Sequence, residues 1–152
     1  METTTHRNGA GVLTLAAPAA HGPEQVAPVT ESTARLLGAA AILGIGVIHI
    51  LDAASTYHST RWIFWAYMAL IVAAVPVTLF LLHSASPLGW AVAATLAAGP
   101  LVAYLWSRSI GLPGDAPDIG NWLCTLGMAA LFVESSLLTL SLTRLAMGRR
   151  SR

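Results

Sequence analysis

Residues Tyr104–Asp118 read YLWSRSIGLPGDAPD. The stretch opens inside an apolar run and closes in a loop, with Arg108 at the junction. Upstream of it, Leu88–Trp106 has the length of mainly apolar chain, roughly 20 residues, that a helix needs to cross a bilayer. Leu112-Pro113-Gly114 is a turn signature, because proline fixes φ and glycine permits the reversal. Gly111 lets the preceding helix end sharply. The stretch is thus the end of one membrane span and the start of a connection, read as a structured lid over one end of a helical bundle.

Three more segments qualify as spans: Leu36–Ala54, Trp62–Leu82 and Trp122–Met147. The predicted fold is all-α, a four-transmembrane-helix antiparallel bundle. Connections fall at Ser55–Arg61, His83–Pro87 and Ser107–Asn121, and the short middle one makes spans two and three a tight hairpin. Composition agrees. The 152 residues are 55% hydrophobic and 10% charged, with no lysine, whereas a soluble domain is about 25% charged. The single cysteine, Cys124, excludes an internal disulfide and a metal site built on cysteines alone. A net charge of +1 gives no sign of a nucleic-acid partner; the expected partners are the lipid bilayer, other membrane subunits or a second copy of the chain.

Arginine placement predicts orientation. Arg7, Arg35, Arg144, Arg149, Arg150 and Arg152 share one side, and only Arg61 and Arg108 lie on the other. Both termini are therefore placed in the cytoplasm of a bacterial cell, with the chain a multi-pass protein of the plasma (inner) membrane. Trp62, Trp65, Trp106 and Trp122 fit an aromatic belt at the outer face; Trp90 sits at the inner one. Residues 1–34, rich in Ala, Pro, Thr and Gly, are expected to be a disordered tail, residues 35–147 the membrane domain, and 148–152 a basic tail. Gly9–Ala20 faintly resembles a signal peptide, but its apolar run is short and broken by Pro18, and a cytoplasmic tail is the preferred reading.

Ionisable residues inside a membrane carry the functional information, because burying them is costly. His49, Asp52 and Thr56 are spaced by three and four and share one helical face. His58 and Arg61 are expected in the loop that follows. An imidazole and a carboxylate at this spacing can take a metal ion or hold a proton between them. His49, Asp52 and His58 are accordingly the candidate metal ligands, for a divalent ion. The structural alternative is an Asp–His hydrogen bond, or an ion pair of Asp52 with Arg61 or Arg108. A bis-histidine haem is disfavoured, since the other spans offer no histidine at the same depth.

Glu134 is the second candidate, with Arg108 and Asp52, for ligand binding or proton carriage. Counted from Trp122 it lies about 20 Å along its helix, near mid-membrane, where an isolated carboxylic acid is expected to be neutral. Pro76 and Pro100 free the carbonyls of Val72 and Leu96, and a hydrogen bond from Glu134 to one of these, or to water between them, is expected. Alternatively the prolines only bend their helices. The same count separates Glu134 from His49 by of order 10 Å in depth, so a shared ion is not expected. His83 is expected at the interface, Cys124 as a packing residue, and Ala40 with Gly44 as a small-residue pair for close helix approach. Arg108 can reach lipid headgroups or turn inward to Asp52, Asp115 or Asp118. Asp118 or Asn121 can cap the fourth span.

Ser107-Arg108-Ser109-Ile110-Gly111-Leu112-Pro113, with a later membrane-buried glutamate, resembles a family of uncharacterised small bacterial four-helix membrane proteins whose stretch reads Ser-Arg-Thr-x-Gly-Leu-Pro. The family pattern also has a histidine late in span one and another soon after, matched by His49 and His58. The resemblance covers Leu36–Thr143. Ser109 departs from the usual threonine, and acidic and glutamine positions of the family's first loop and second span are missing. It implies the four-helix membrane fold and brings no activity with it.

The expected function is binding or an accessory role in the membrane, with a metal or small-ligand site at the outer end. The alternative is a proton-coupled transport or electron-transfer component using Glu134 and the His49/His58 cluster.

Overall fold

The computed structural model describes residues 30–84 and 86–150. They form four long helices, α1 (Glu31–Ser59), α2 (Arg61–His83), α3 (Pro87–Ser109) and α4 (Thr125–Arg150), with a 3-10 turn at Ala116–Asp118. Each of the four is long and apolar enough to cross a membrane. Residues 1–29, with the signal-peptide reading, Arg7 and the greater part of the expected tail, lie outside the described residues, as does Arg152.

Local chemistry explains the helix ends. The Thr30 side chain accepts from the Thr33 amide, and Glu31 follows in the first turn, where a negative charge meets the helix dipole. Ser86 accepts from the Leu88 amide, and Pro87 stands first in α3, where a missing N–H costs nothing. Thr60 alone separates α1 from α2. Just before it, Ser55, Thr56 and Ser59 all turn their hydroxyls back onto main-chain carbonyls of the preceding turn, satisfying themselves within α1.

This extends α1 beyond its expected apolar span. Residues 55–59 are helical, so His58 belongs to the last turn of α1 and not to a loop. The opposite happens at the fourth helix. Trp122–Cys124 stay outside it and α4 begins at Thr125. Neither Asp118 nor Asn121 caps it; the Met128 amide donates to the Cys124 carbonyl instead. Residues 31–34 and 148–150, expected in the tails, likewise fall inside helices.

α1 packs against α2 and α4, and α3 packs against α4 and α2. Small residues set these approaches. Gly38 lies under Leu81 and Trp90, Gly46 faces Ala74, and Gly44 faces Val133. Ala40, the other half of the small-residue pair, is exposed. Ile42, Ile45, Ala93 and Leu137, each with 0% of its surface exposed, fill the centre. The outward faces are apolar as well: Val72 is 71% and Phe132 73% exposed, a surface suited to lipid. Trp62, Trp65, Trp106 and Trp122 are exposed around the end that holds residues 110–124, here termed the loop end. Trp90 is buried at the opposite, terminal end, where its indole N–H donates to Glu31.

That terminal end is tied by groups that hydropathy alone does not reveal. Glu31 pairs with Arg144 at 3.5 Å. Arg35 donates through Nε to the Leu81 carbonyl at 2.7 Å and through Nη2 to that of Leu82. These are the last carbonyls of α2, which have no partner within their own helix.

Candidate functional site

The connection after α3 is a fastened lid. Gly111, at φ +84°, ends α3, and its amide donates to the Trp106 carbonyl. Pro113 and Gly114 (φ +80°) occupy the centre of a turn closed by the Asp115 amide on the Leu112 carbonyl, the residue pattern of a type II turn. Two bonds hold that turn to the start of α2: Thr60 Oγ1 donates to the Gly114 carbonyl at 3.0 Å, and Trp62 Nε1 to the Pro113 carbonyl at 2.8 Å. The rest is held by α3. Ser107 donates to Asp115 at 2.9 Å, Arg108 forms an ion pair with Asp118, and the Gly120 amide donates to the Arg108 carbonyl.

Arg108 thus turns inward to Asp118 and away from Asp52. It is 9% exposed, its guanidinium carbon lies 4.9 Å from the centre of the Tyr104 ring, and its Nε has no hydrogen-bond partner. Partial burial pushes the Asp115 carboxyl above its ordinary range. The Ser107 hydroxyl and the Arg108 charge pull it back, while Asp118 adds to the rise.

Beneath the lid lies a cavity of about 500 Å³, lined by residues of all four helices, among them His49, Asp52, Tyr67, Tyr104, Arg108 and Glu134. Its size is that of a small-molecule pocket. Asp52 is held by two donors, the Tyr67 hydroxyl at 3.0 Å and the Ser55 hydroxyl at 3.0 Å. It bonds neither His49 nor Arg61 nor Arg108, so none of the expected pairings of Asp52 occurs. Arg61 instead lies over the Tyr57 ring.

His49 is buried, its Nδ1 2.8 Å from the Ile45 carbonyl and its ring edge-to-face with Tyr67. A carbonyl can only accept, so Nδ1 carries a proton and Nε2 points elsewhere. It points to Glu134: Nε2 stands 4.0 Å from Oε1. The expected 10 Å difference in depth is therefore corrected. Glu134 follows the start of α4 by nine residues, about 14 Å at 1.5 Å per residue, and His49 precedes the end of α1 by ten, about 15 Å. The longer α1 and later α4 bring the two to one level.

Glu134 is 1% exposed, and neither carboxyl oxygen has a hydrogen-bond partner. The expected bond to a proline-freed carbonyl is thus absent. Pro100 lines the cavity, whereas Pro76 faces outward.

The metal expectation is not supported. Among the described residues no three His, Cys, Asp or Glu side chains converge as ion ligands. His58 is exposed beside Tyr57 and does not line the cavity. Nine residues from His49 is two and a half helical turns, which puts it on the far face of α1. Tyr67 and Tyr104 were not singled out from the sequence; the available signal was a phenol inside an apolar span, a group that seeks a partner when buried. No protein-family model, curated protein or solved structure matches this chain.

Proposed function

We propose that this is a small multi-pass protein of the bacterial inner membrane that binds a small ligand from the outer side, as a binding or accessory subunit. In this reading the bundle is antiparallel with both termini cytoplasmic, and the loop end faces outward. The contacts of Gly38 with Leu81 and of Gly46 with Ala74 favour the reversal of α2 on α1, and the excess of arginine on the terminal side favours the orientation. Membership in the family with the Ser-Arg-Thr-x-Gly-Leu-Pro pattern belongs to the same proposal.

One observation carries the binding role. Glu134, at the deep end of a cavity of about 500 Å³, has both carboxyl oxygens buried and unpartnered. Orphaned buried polar atoms are costly, and a ligand that satisfies them recovers that cost. Below Glu134 the bundle is closed by Ile42, Ile45, Ala93 and Leu137. A site plugged at its deep end by aliphatic side chains favours binding over conduction.

The proximity of His49 to Glu134 favours a second reading, in which the pair exchanges protons with the outer solution. Both readings share one accessibility test in a Cys124→Ser background. Ala130→Cys, in the cavity wall, is expected to react with a membrane-impermeant methanethiosulfonate in intact cells, and Leu137→Cys to resist it from either side. Reaction of Ala130→Cys only in inside-out vesicles would overturn the orientation. Protection of both positions on both sides would sink the open cavity. Reaction of Leu137→Cys would replace the binding reading by one with a continuous path.

A further inference from the structure

Resting on the proposed binding role of this cavity, the chemistry of its walls narrows the guest. Its deep end presents acceptors. Glu134 offers two oxygens without a partner. His49 has committed Nδ1 to the Ile45 carbonyl, so Nε2 of the neutral ring is a third acceptor. Nε2 and Oε1 stand 4.0 Å apart, a gap that one nitrogen at an ordinary distance of about 2.9 Å from each can bridge.

Among the described residues no donor bonds to either carboxyl oxygen. The titratable groups of α1, α2 and α3 that line the cavity with Glu134 are His49 and Asp52, Tyr67, and Tyr104 and Arg108. The Tyr67 hydroxyl is given to Asp52 and the Tyr104 hydroxyl to the Trp122 carbonyl. Arg108 is paired with Asp118 in the lid. The wall as a whole carries the carboxyl groups of Asp52, Asp115, Asp118 and Glu134 against the single guanidinium of Arg108. A neutral hydroxyl brings one donor to three acceptors and no charge to a wall rich in carboxyl groups. An ammonium group brings up to three donors and a positive charge.

The remaining wall decides the body and the far end. Ile48, Ile63, Leu126 and Ala130 are apolar and accept a hydrocarbon substituent. The Arg108 guanidinium is positively charged and its Nε is a buried hydrogen-bond donor without a partner, so a second ammonium, which can only donate, has no place near it. We infer that the cavity takes a small organic monoammonium ion, its nitrogen held between Glu134 and His49 and its apolar body in the cavity.

Equilibrium dialysis of the full chain in nanodiscs, with empty nanodiscs subtracted, tests this with three probes: benzylamine, benzyl alcohol and 1,5-diaminopentane. The inference expects saturable binding of benzylamine alone, one per chain. Glu134→Gln should weaken it at least about tenfold, as loss of a buried counter-charge does, and Glu134→Asp should retain part of it. Circular dichroism and gel filtration show whether each variant is folded, and Glu134→Asp carries the comparison if Glu134→Gln is not. Equal binding of benzyl alcohol and benzylamine, lost together in cavity-filling Ala130→Leu, overturns the ammonium while leaving a ligand cavity. Saturable binding of benzylamine that neither Glu134 variant changes also overturns it. If no probe binds saturably the ammonium inference fails, and the labelling of Ala130→Cys shows separately whether the binding cavity fails with it.

Discussion

His49 Nε2 and Glu134 Oε1 lie 4.0 Å apart on facing helices, between the cavity above and a layer of fully buried aliphatic side chains below. Imidazole and carboxyl lie deep in the cavity wall, and they meet because His49 lies ten residues before the end of α1 and Glu134 nine residues after the start of α4. The carboxyl gains no hydrogen bond from this arrangement, which makes it a cost to the fold.

That cost predicts the effect of an apolar replacement. Glu134→Leu removes two buried, unpartnered oxygens and keeps most of the volume, so it should leave stability unchanged or raise it by roughly 1–3 kcal/mol. Thermal unfolding in detergent measures it. A marked loss of stability would show that the carboxyl is satisfied in the folded protein and that the cavity's deep end is not a vacant acceptor site.

Gly127 places backbone against the Tyr104 ring; a β-carbon there would collide with it. Gly127→Ala should therefore push Tyr104 aside, weaken its bond to the Trp122 carbonyl, and cost about 1–3 kcal/mol as overpacking does. Gly99→Ala, where nothing lies within 4 Å, is the matched control and should not destabilise. Similar losses at both positions would place the α3–α4 contact elsewhere.

The lid depends on Arg108 and not on Arg61. Arg108→Ala removes the ion pair with Asp118 and a donor to its carbonyl. Because Asp118 remains partly exposed, the expected loss is about 1–2 kcal/mol, less than for a fully buried pair. Arg61 only covers the exposed Tyr57 ring, and Arg61→Ala should cost well under that. Equal melting temperatures for the two variants would contradict the inward position of Arg108.

Asp115 gives the lid a pH dependence whose sign follows from its burial. Its carboxyl titrates higher in the folded protein than in the unfolded chain, so the folded state holds the proton more tightly. The stabilisation is complete below the unfolded range and is lost as pH rises through the folded value. Asp115→Asn keeps an acceptor for Ser107 without the charge. It should melt at or above the wild-type temperature near neutral pH, and the difference should shrink on acidification. A variant that melts lower at neutral pH would mean that the charge supports the lid.

Much of this architecture follows from the chain read alone. Four apolar runs of spanning length, separated by Ser-, Gly- and Pro-containing connections, lead to four long helices because the composition leaves no other way to satisfy so much backbone in an apolar solvent. The lid was legible for a local reason: Gly111 and Pro113-Gly114 demand particular φ values wherever they stand. The face shared by His49, Asp52 and Thr56 was legible too, since helical spacing needs no tertiary information.

Depth and azimuth were decided elsewhere. Hydropathy marks where a helix leaves the apolar solvent, not where its hydrogen bonding stops. The hydroxyl-rich end of α1 continues helical to Ser59, which turns His58 away from His49. The bonds from Thr60 and Trp62 to the lid, and of α3 to Asp115 and Asp118, are long-range choices among several polar partners. By itself the sequence determined that a carboxyl and an imidazole must be buried among apolar helices. Only the packing of α1 against α4 decided that they meet, because relative depth is a property of two helix ends in contact and is written in neither helix alone.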